Sequence, residues 1–288
     1  MNPPFKPMTL PTLPELRQLA WQALRASNIE EKVTLALALP AQVAPDLVAN
    51  IVLATSGDAF DLAPGRPARP ELVHAAKVPR RSPVSVQGRA ALIHSIVHIE
   101  FNAINLALDA LWRFNDMPEA FYLDWARVAR EEAYHFNLLR AHLTSLRPLD
   151  GTQPQGWDYG DFAAHDSLWE MCEKTRHDPI ARMALVPRTL EARGLDAVPK
   201  IQAKLRQVGA PDALRAAAAL DIILHDEVGH VTIGNHWYRW LCERAGLEPV
   251  AHYAALSLRY GAPKLKGPFN CAARLKAGFT PAELAALG

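Results

Sequence analysis

The stretch EEAYH, at residues 131–135, is followed almost a hundred residues later by DEVGH, at residues 226–230. Each stretch carries two adjacent acids and then a histidine three places after the second acid. Residues three apart on an α-helix are neighbours on one face, so each E-x-x-H sequence directs a carboxylate and an imidazole to the same place if it is helical. The two acid–histidine pairs are Glu132 with His135 and Glu227 with His230.

Long helical patterns surround both stretches. Apolar residues recur with a helical period over residues 85–114 and 118–146, on either side of a short NDMP break, and again over residues 210–246. A break this short makes the first two helices antiparallel neighbours. The strict alternation of a β-strand is nearly absent. The sequence therefore predicts an all-α protein.

Shorter helices are predicted at residues 12–57, 166–176, 179–193 and 200–208. Pro187 is expected to interrupt the third of these, and Gly194 and Pro199 are expected to separate it from the fourth. Asp212 is expected to cap the last long helix, and the sequence TPAEL at residues 280–284 is expected to form a capping box on a final short helix.

Two single glutamates lie at the heights that a metal site between helices requires. Glu100 is sixteen residues before Asp116, near the centre of the first turn, and Glu132 is sixteen residues after it. At about 1.5 Å of rise per residue, both carboxylates lie about 24 Å from the turn. Glu191 and Glu227 are likewise eighteen residues from the bend before the last long helix. Glu100 and Glu132 are therefore expected to be level, and so are Glu191 and Glu227, provided that the helix at residues 200–208 continues the direction of the helix before it.

This set of side chains matches the way in which carboxylate bundles bind two metal ions. In such bundles two helices each give an E-x-x-H and two others each give a single glutamate. Facing carboxylates in an apolar setting repel one another strongly without a cation. Oxygen and imidazole ligands without thiolate favour iron or manganese over a structural zinc site, so the two ions are expected to be iron, manganese or a mixed manganese–iron pair. The predicted ligands are Glu100, Glu132, His135, Glu191, Glu227 and His230.

The residue before each E-x-x-H glutamate is also acidic. A metal-bound histidine usually donates its other N–H to a carboxylate. We therefore expect Asp226 to hold His135 and Glu131 to hold His230, crosswise between the two helices.

Several blocks of the sequence resemble the ferritin-like superfamily, and within it a bacterial ferritin-like family described as a domain of unknown function. The resemblance covers roughly residues 60–275 and includes GRAALIHSIVHIEFNAINLALDA, FYLDWARVAREEAYHF and LDIILHDEVGHVTIGNHWY. It implies a four-helix bundle with a dinuclear, di-iron centre. It does not imply a reaction, because the superfamily includes storage proteins and several kinds of oxidase.

The bundle is expected to occupy residues 85–250 of a single domain. Residues 1–84 supply N-terminal helices and a proline-rich extended arm packed on the bundle, and residues 251–288 supply a C-terminal extension with further helical structure.

Composition limits the partners and the compartment. The chain has 288 residues and a net charge of +1, so nothing in its charge favours nucleic acid or an anionic membrane. Its three cysteines are far apart, which fits a reducing compartment. The first residues lack the pattern of a secretory signal and no unbroken apolar stretch reaches about 18 residues, so we expect neither a secretory signal nor a transmembrane helix. We expect a cytoplasmic monomer or small homo-oligomer with no membrane partner.

Three functions remain open at this point. The first is an O2-dependent di-iron oxidase or hydroxylase that acts on a small or nucleoside-type substrate and needs an electron donor; the segments outside the bundle favour it. The second is an iron-binding, storage or ferroxidase-type stress protein without an organic substrate. The third is an interaction module whose metal is structural or absent.

Overall fold

The computed structural model describes residues 10–44, 63–79, 81–148, 151 and 155–287. Regular structure in these ranges is helical, apart from one isolated bridge between Leu72 and Ala164, and the predicted all-α class is confirmed. The α-helices are α1 (Leu13–Arg25), α2 (Ile29–Leu37), α3 (Val86–Arg113), α4 (Glu119–Ser145), α5 (Ser167–Lys174), α6 (Pro179–Leu185), α7 (Ala192–Val208), α8 (Pro211–Arg244), α9 (Pro249–Arg259), α10 (Cys271–Lys276) and α11 (Pro281–Ala285).

The chain forms two compact units. Unit 1 consists of Met1–Pro67 and Ile104–Ala133, and unit 2 consists of Ala68–Ala103 and Tyr134–Gly288. The boundaries between them fall within α3 and α4, so each of these two helices contributes to both units. The division at residues 84 and 250 that we expected from the sequence stays a prediction.

Unit 1 contains the short turn between α3 and α4. Asp116 has a positive φ of 58°, and the Tyr122 hydroxyl in the first part of α4 donates to the Phe114 carbonyl at 2.9 Å. Arg17 of α1 is buried and donates to the Trp112 carbonyl at 2.6 Å. These bonds satisfy carbonyl groups at the end of α3, and the turn predicted near Asp116 is confirmed.

In unit 2 an aromatic cluster joins α3 to α4. The Phe101 and Phe136 ring centroids are 5.7 Å apart, and the ring of Tyr159, from the loop before α5, lies 5.2 Å from the first and 5.4 Å from the second. The Tyr159 hydroxyl is 2.9 Å from His98 Nδ1. His98, which is buried on α3, therefore binds this loop.

Helix α8 packs along the other elements of unit 2. Near its start, Asp212 accepts two hydrogen bonds from Arg89 of α3, at 2.6 and 3.1 Å. One turn past Ala217, Asp221 accepts a 2.6 Å bond from Gln202 of α7. Apolar contacts between α7, α8 and the C-terminal helices complete a helical core.

Two sequence expectations about helix ends are wrong. Asp212 is not the N-cap of α8, because the helix begins at Pro211 and the Asp212 carboxylate is bound by Arg89. The break at Gly194 and Pro199 is absent, and α7 runs through both residues.

A distant side chain explains why α7 continues through Pro199. A proline inside a helix leaves the carbonyl four residues earlier without its usual N–H partner. That carbonyl belongs to Leu195, and it accepts a 3.2 Å hydrogen bond from Asn270 Nδ2.

By contrast, the expected interruption at Pro187 is present as a π-helical segment, Val186–Glu191, between α6 and α7. The capping box of Thr280 and Glu283 on α11 is also confirmed.

Helix α3 is, among the described residues, the one helix long and apolar enough to cross a membrane. In the structure 78% of its apolar window is buried. Core helices of soluble proteins can be as long and as apolar as a membrane-spanning helix. The burial of α3 favours the interpretation that it is such a core helix.

We predict that His94 makes the protein less stable as the pH falls. His94 is buried and its Nε2 accepts a 2.9 Å hydrogen bond from the Gly160 N–H. Burial lowers the pKa of His94 to about 4, although Asp161 and Asp158 oppose the effect. An unfolded histidine has a pKa of about 6.5, so between these values the unfolded chain binds more protons. The free energy of unfolding should fall by about 3 kcal/mol over this window.

Urea unfolding of the wild type and of His94→Gln between pH 7 and 4.5 measures this contribution. Glutamine stays neutral and can still accept the Gly160 N–H, so His94→Gln should show a flatter pH dependence. The exposed His74 offers a control, and His74→Gln should keep the wild-type dependence. Equal pH dependence in the wild type and His94→Gln would contradict the prediction.

Candidate metal centre

Four of the six predicted ligands lie together. Each offers one ligand atom, and these atoms are all within 4.8 Å of one another. The four side chains are buried, with exposed fractions of 8% or less. They are Glu100 of α3, Glu132 and His135 of α4, and Glu227 of α8. The arrangement is able to hold a metal ion.

The imidazole of His135 is oriented by contacts at both of its nitrogens. Its Nδ1 is 3.4 Å from Glu100 Oε2, and its Nε2 is 3.0 Å from Asp226 Oδ2. A proton on Nε2, donated to Asp226, leaves the lone pair of Nδ1 directed toward the glutamates. Metal-ligating histidines are commonly held in this way. Asp226 is thus in contact with the histidine to which the sequence analysis assigned it.

His230 of α8 also has a glutamate beside its Nδ1 atom. It is fully buried, and its Nδ1 is 3.7 Å from Glu227 Oε1, one helical turn earlier. Its ring centroid is 5.8 Å from that of His135. The two E-x-x-H pairs therefore place their imidazole rings side by side, although His230 is not one of the four residues grouped above.

Glu191 is the last residue of the π-helical segment and is 9% exposed. It too lies outside the four-residue group. Its carboxylate is buried at the junction of the segment with α7, and its role as a ligand stays a prediction.

Glu131 forms an ion pair on its own helix. Its Oε1 accepts from Arg127 Nε at 2.8 Å, and Glu131 is only partly buried. The expected contact between the Glu131 carboxylate and the His230 imidazole stays a prediction.

The chemistry of the group favours a hard cation. Three of its members are carboxylates, and like charges held this close in a buried site repel unless a cation or protons intervene. No cysteine belongs to the group: Cys172 and Cys242 are buried elsewhere and Cys271 is exposed. Oxygen and imidazole donors of this kind suit iron or manganese.

Sequence reasoning missed Arg188, a buried residue of the π-helical segment that ends at Glu191. It stands one turn before Glu191, is 3% exposed, and forms a 2.8 Å ion pair with Glu283 of α11. The available signal was a lone arginine in the apolar run MALVPRTL, since a charged side chain in such a setting requires a buried partner.

We predict that Asp226→Ala weakens metal binding by about 10- to 100-fold, because it removes the carboxylate that orients His135. Equilibrium dialysis against Mn²⁺, or against Fe²⁺ without oxygen, measures the affinity. Asp221→Ala is the matched control, since Asp221 lies on the same helix and binds Arg206 and Gln202 instead. Wild-type affinity in Asp226→Ala would show that the contact does not support a metal ligand.

Comparison with known proteins gives the family. A protein of Haemophilus influenzae, described as an uncharacterized protein, is 45% identical over 280 residues, which cover 92% of this chain and 92% of that protein. No solved structure matches the chain. A family model described as "Protein of unknown function (DUF455)" matches residues 25–285, and the chain therefore belongs to this family.

Proposed function

We propose that the protein is a ferritin-like, dinuclear-metal carboxylate protein that uses two iron ions and O2 to oxidise or hydroxylate a small or nucleoside-type substrate. The observation that carries the proposal is the buried group of three glutamates and a histidine, whose ligand atoms lie within 4.8 Å of one another.

The charge of the complete ligand set supports two metal ions. Glu100, Glu132 and Glu227 belong to the group, His230 is buried three residues after Glu227, and Glu191 is buried at the end of the π-helical segment. Four glutamates carry four negative charges, and two divalent cations carry four positive charges. Since a net charge is costly to bury, a pair of divalent ions suits this set better than one ion.

Bound iron would supply the electrons that reduce O2, and an external electron donor would restore them. The protein's own residues hold the ions and limit the access of water. Glu132, His135 and His230 are 0% exposed, whereas Glu227 and Glu191 are 8% and 9% exposed. This difference supports the proposal that O2 and substrate approach from the side of the α8 and π-segment glutamates.

We predict opposite effects of Glu132→Gln on the metal-free and metal-loaded protein. The substitution removes one of the mutually repelling carboxylates, so the metal-free protein should melt at a higher temperature than the metal-free wild type. It also removes a ligand, so the increase in melting temperature on adding Fe²⁺ without oxygen, or Mn²⁺, should be largely lost.

Glu119→Gln is the matched control, because Glu119 is an exposed acid on the same helix. It should leave the metal-induced increase in melting temperature unchanged. A full metal-induced increase in Glu132→Gln, with two metals still bound per chain, would remove Glu132 from the ligand set.

We predict that the iron-loaded protein consumes O2 and remains a monomer or small homo-oligomer. Size-exclusion chromatography with light scattering gives the assembly, and an oxygen electrode gives the consumption in the presence of a reductant. A closed multisubunit shell that accumulates many iron ions per chain would instead establish the storage or ferroxidase alternative. Protein from iron-replete cells that contains no metal, and that is as stable without metal as with it, would support the interaction-module alternative.

A further inference from the structure

The π-helical segment Val186–Glu191 has contacts that fix its unusual turn. The Thr189 hydroxyl donates to the Ala184 carbonyl, five residues earlier, at 2.7 Å. Segments of this type are uncommon and are often found at functional sites. Glu191 ends the segment, so the position of its carboxylate follows that of the turn.

On one side the segment lies directly against α8. A Cβ on Gly234 would lie 2.5 Å from Pro187 Cβ, so only glycine permits this approach. The next residue, Asn235, accepts a short hydrogen bond from Arg188 and donates to the Ala277 carbonyl at 2.7 Å.

On the other side the segment is held by the C-terminal helices. The Arg188 guanidinium carbon lies 4.7 Å from the ring centroid of Phe279 and 5.3 Å from that of Tyr253 in α9. The Tyr253 hydroxyl is 2.9 Å from Thr189 Oγ1. Two consecutive residues of the segment are therefore bound by α9 and by the residues that lead into α11.

The ion pair between Arg188 and Glu283 is the charged part of this contact. Arg188 Nη2 is 2.8 Å from Glu283 Oε1, and both side chains are at most 4% exposed. Glu283 Oε2 also accepts from the Thr280 N–H at 2.7 Å and from Arg239 Nη2 at 2.9 Å. Burial would raise the pKa of Glu283, but the Thr280 N–H, Arg188 and Arg239 together lower it, so the carboxylate is ionised and the pair is charged.

We propose that α11 acts on the metal centre: the Glu283–Arg188 ion pair holds the π-helical segment so that Glu191 is positioned to bind the second metal ion. The inference rests on the two-metal function proposed above. Arg188 and Glu283 are positioning residues, since neither belongs to the ligand group. Removal of one charge leaves the other buried without its partner, which displaces the segment rather than the helices that carry the other ligands.

The test is a metal titration of Glu283→Gln in the full chain, with Mn²⁺ and with Fe²⁺ without oxygen. Glutamine keeps the size of the side chain and an oxygen for the Thr280 N–H, but it removes the charge. We expect the first metal ion to bind as in the wild type, and the dissociation constant of the second to rise by about 10-fold or more.

Two control variants separate this effect from a general loss of stability. Thr280→Ala removes the cap of α11 and leaves the Arg188–Glu283 pair, and Arg239→Gln removes the other arginine that binds Glu283. Both should bind two metal ions with wild-type affinities, even where the melting temperature falls. If Thr280→Ala weakens the binding of the second metal ion as much as Glu283→Gln does, the inference is overturned.

The double variant Arg188→Gln/Glu283→Gln guards against misfolding, because it leaves no unpaired buried charge. If the two residues act as a pair, the double variant should weaken the binding of the second metal ion no more than either single substitution does. Wild-type binding of both ions in the double variant, or in Glu283→Gln, would overturn the inference and leave the proposed function intact. A wild-type chain that binds fewer than two ions would overturn both.

Discussion

The mutual repulsion of buried carboxylates is the constraint on which the site depends. Glu100, Glu132 and Glu227 approach one another with His135 in a setting that is almost closed to water. The electrostatic energy of such a group is high unless protons or cations neutralise it, and it is higher still in a medium of low dielectric constant. The long helices that carry these residues must therefore be held by other contacts when the group carries its charge. Apolar packing such as that of Phe101 against Phe136 supplies them.

The adjacent acids of DEVGH show how one helix serves two purposes. Consecutive residues on a helix are separated by about 100°. Glu227 consequently faces the ligand group while Asp226 reaches His135 on the neighbouring helix. The dipeptide thus supplies a carboxylate to the group and also fixes the orientation of an imidazole that belongs to α4. A single acid at either position does only one of these tasks.

The sequence predicted the parts of the fold that depend on local periodicity. Helices α3, α4 and α8 have long regular patterns, and their ends lie within about two residues of the expected ones, as is usual for such patterns. The approach of Glu100 to Glu132 followed from counting residues about the turn at Asp116. The failures depend on distant partners. Arg89 binds Asp212, and Asn270 satisfies the carbonyl that Pro199 leaves exposed; neither contact is visible in the local sequence.

The same distinction divides the candidate centre. The proposed ligands of α3, α4 and α8 lie on regular helices, where the spacing of residues alone decides which side chains share a face. Glu191 instead follows a wide turn around Pro187, and its position depends on groups such as Asn235 and Glu283 that are far away in sequence. The spacing of E-x-x-H could therefore be read from the chain, whereas the placement of Glu191 could not. A proposed ligand whose position depends on tertiary contacts is also one that those contacts can adjust, and here they come from α8 and from the C-terminal helices that follow it.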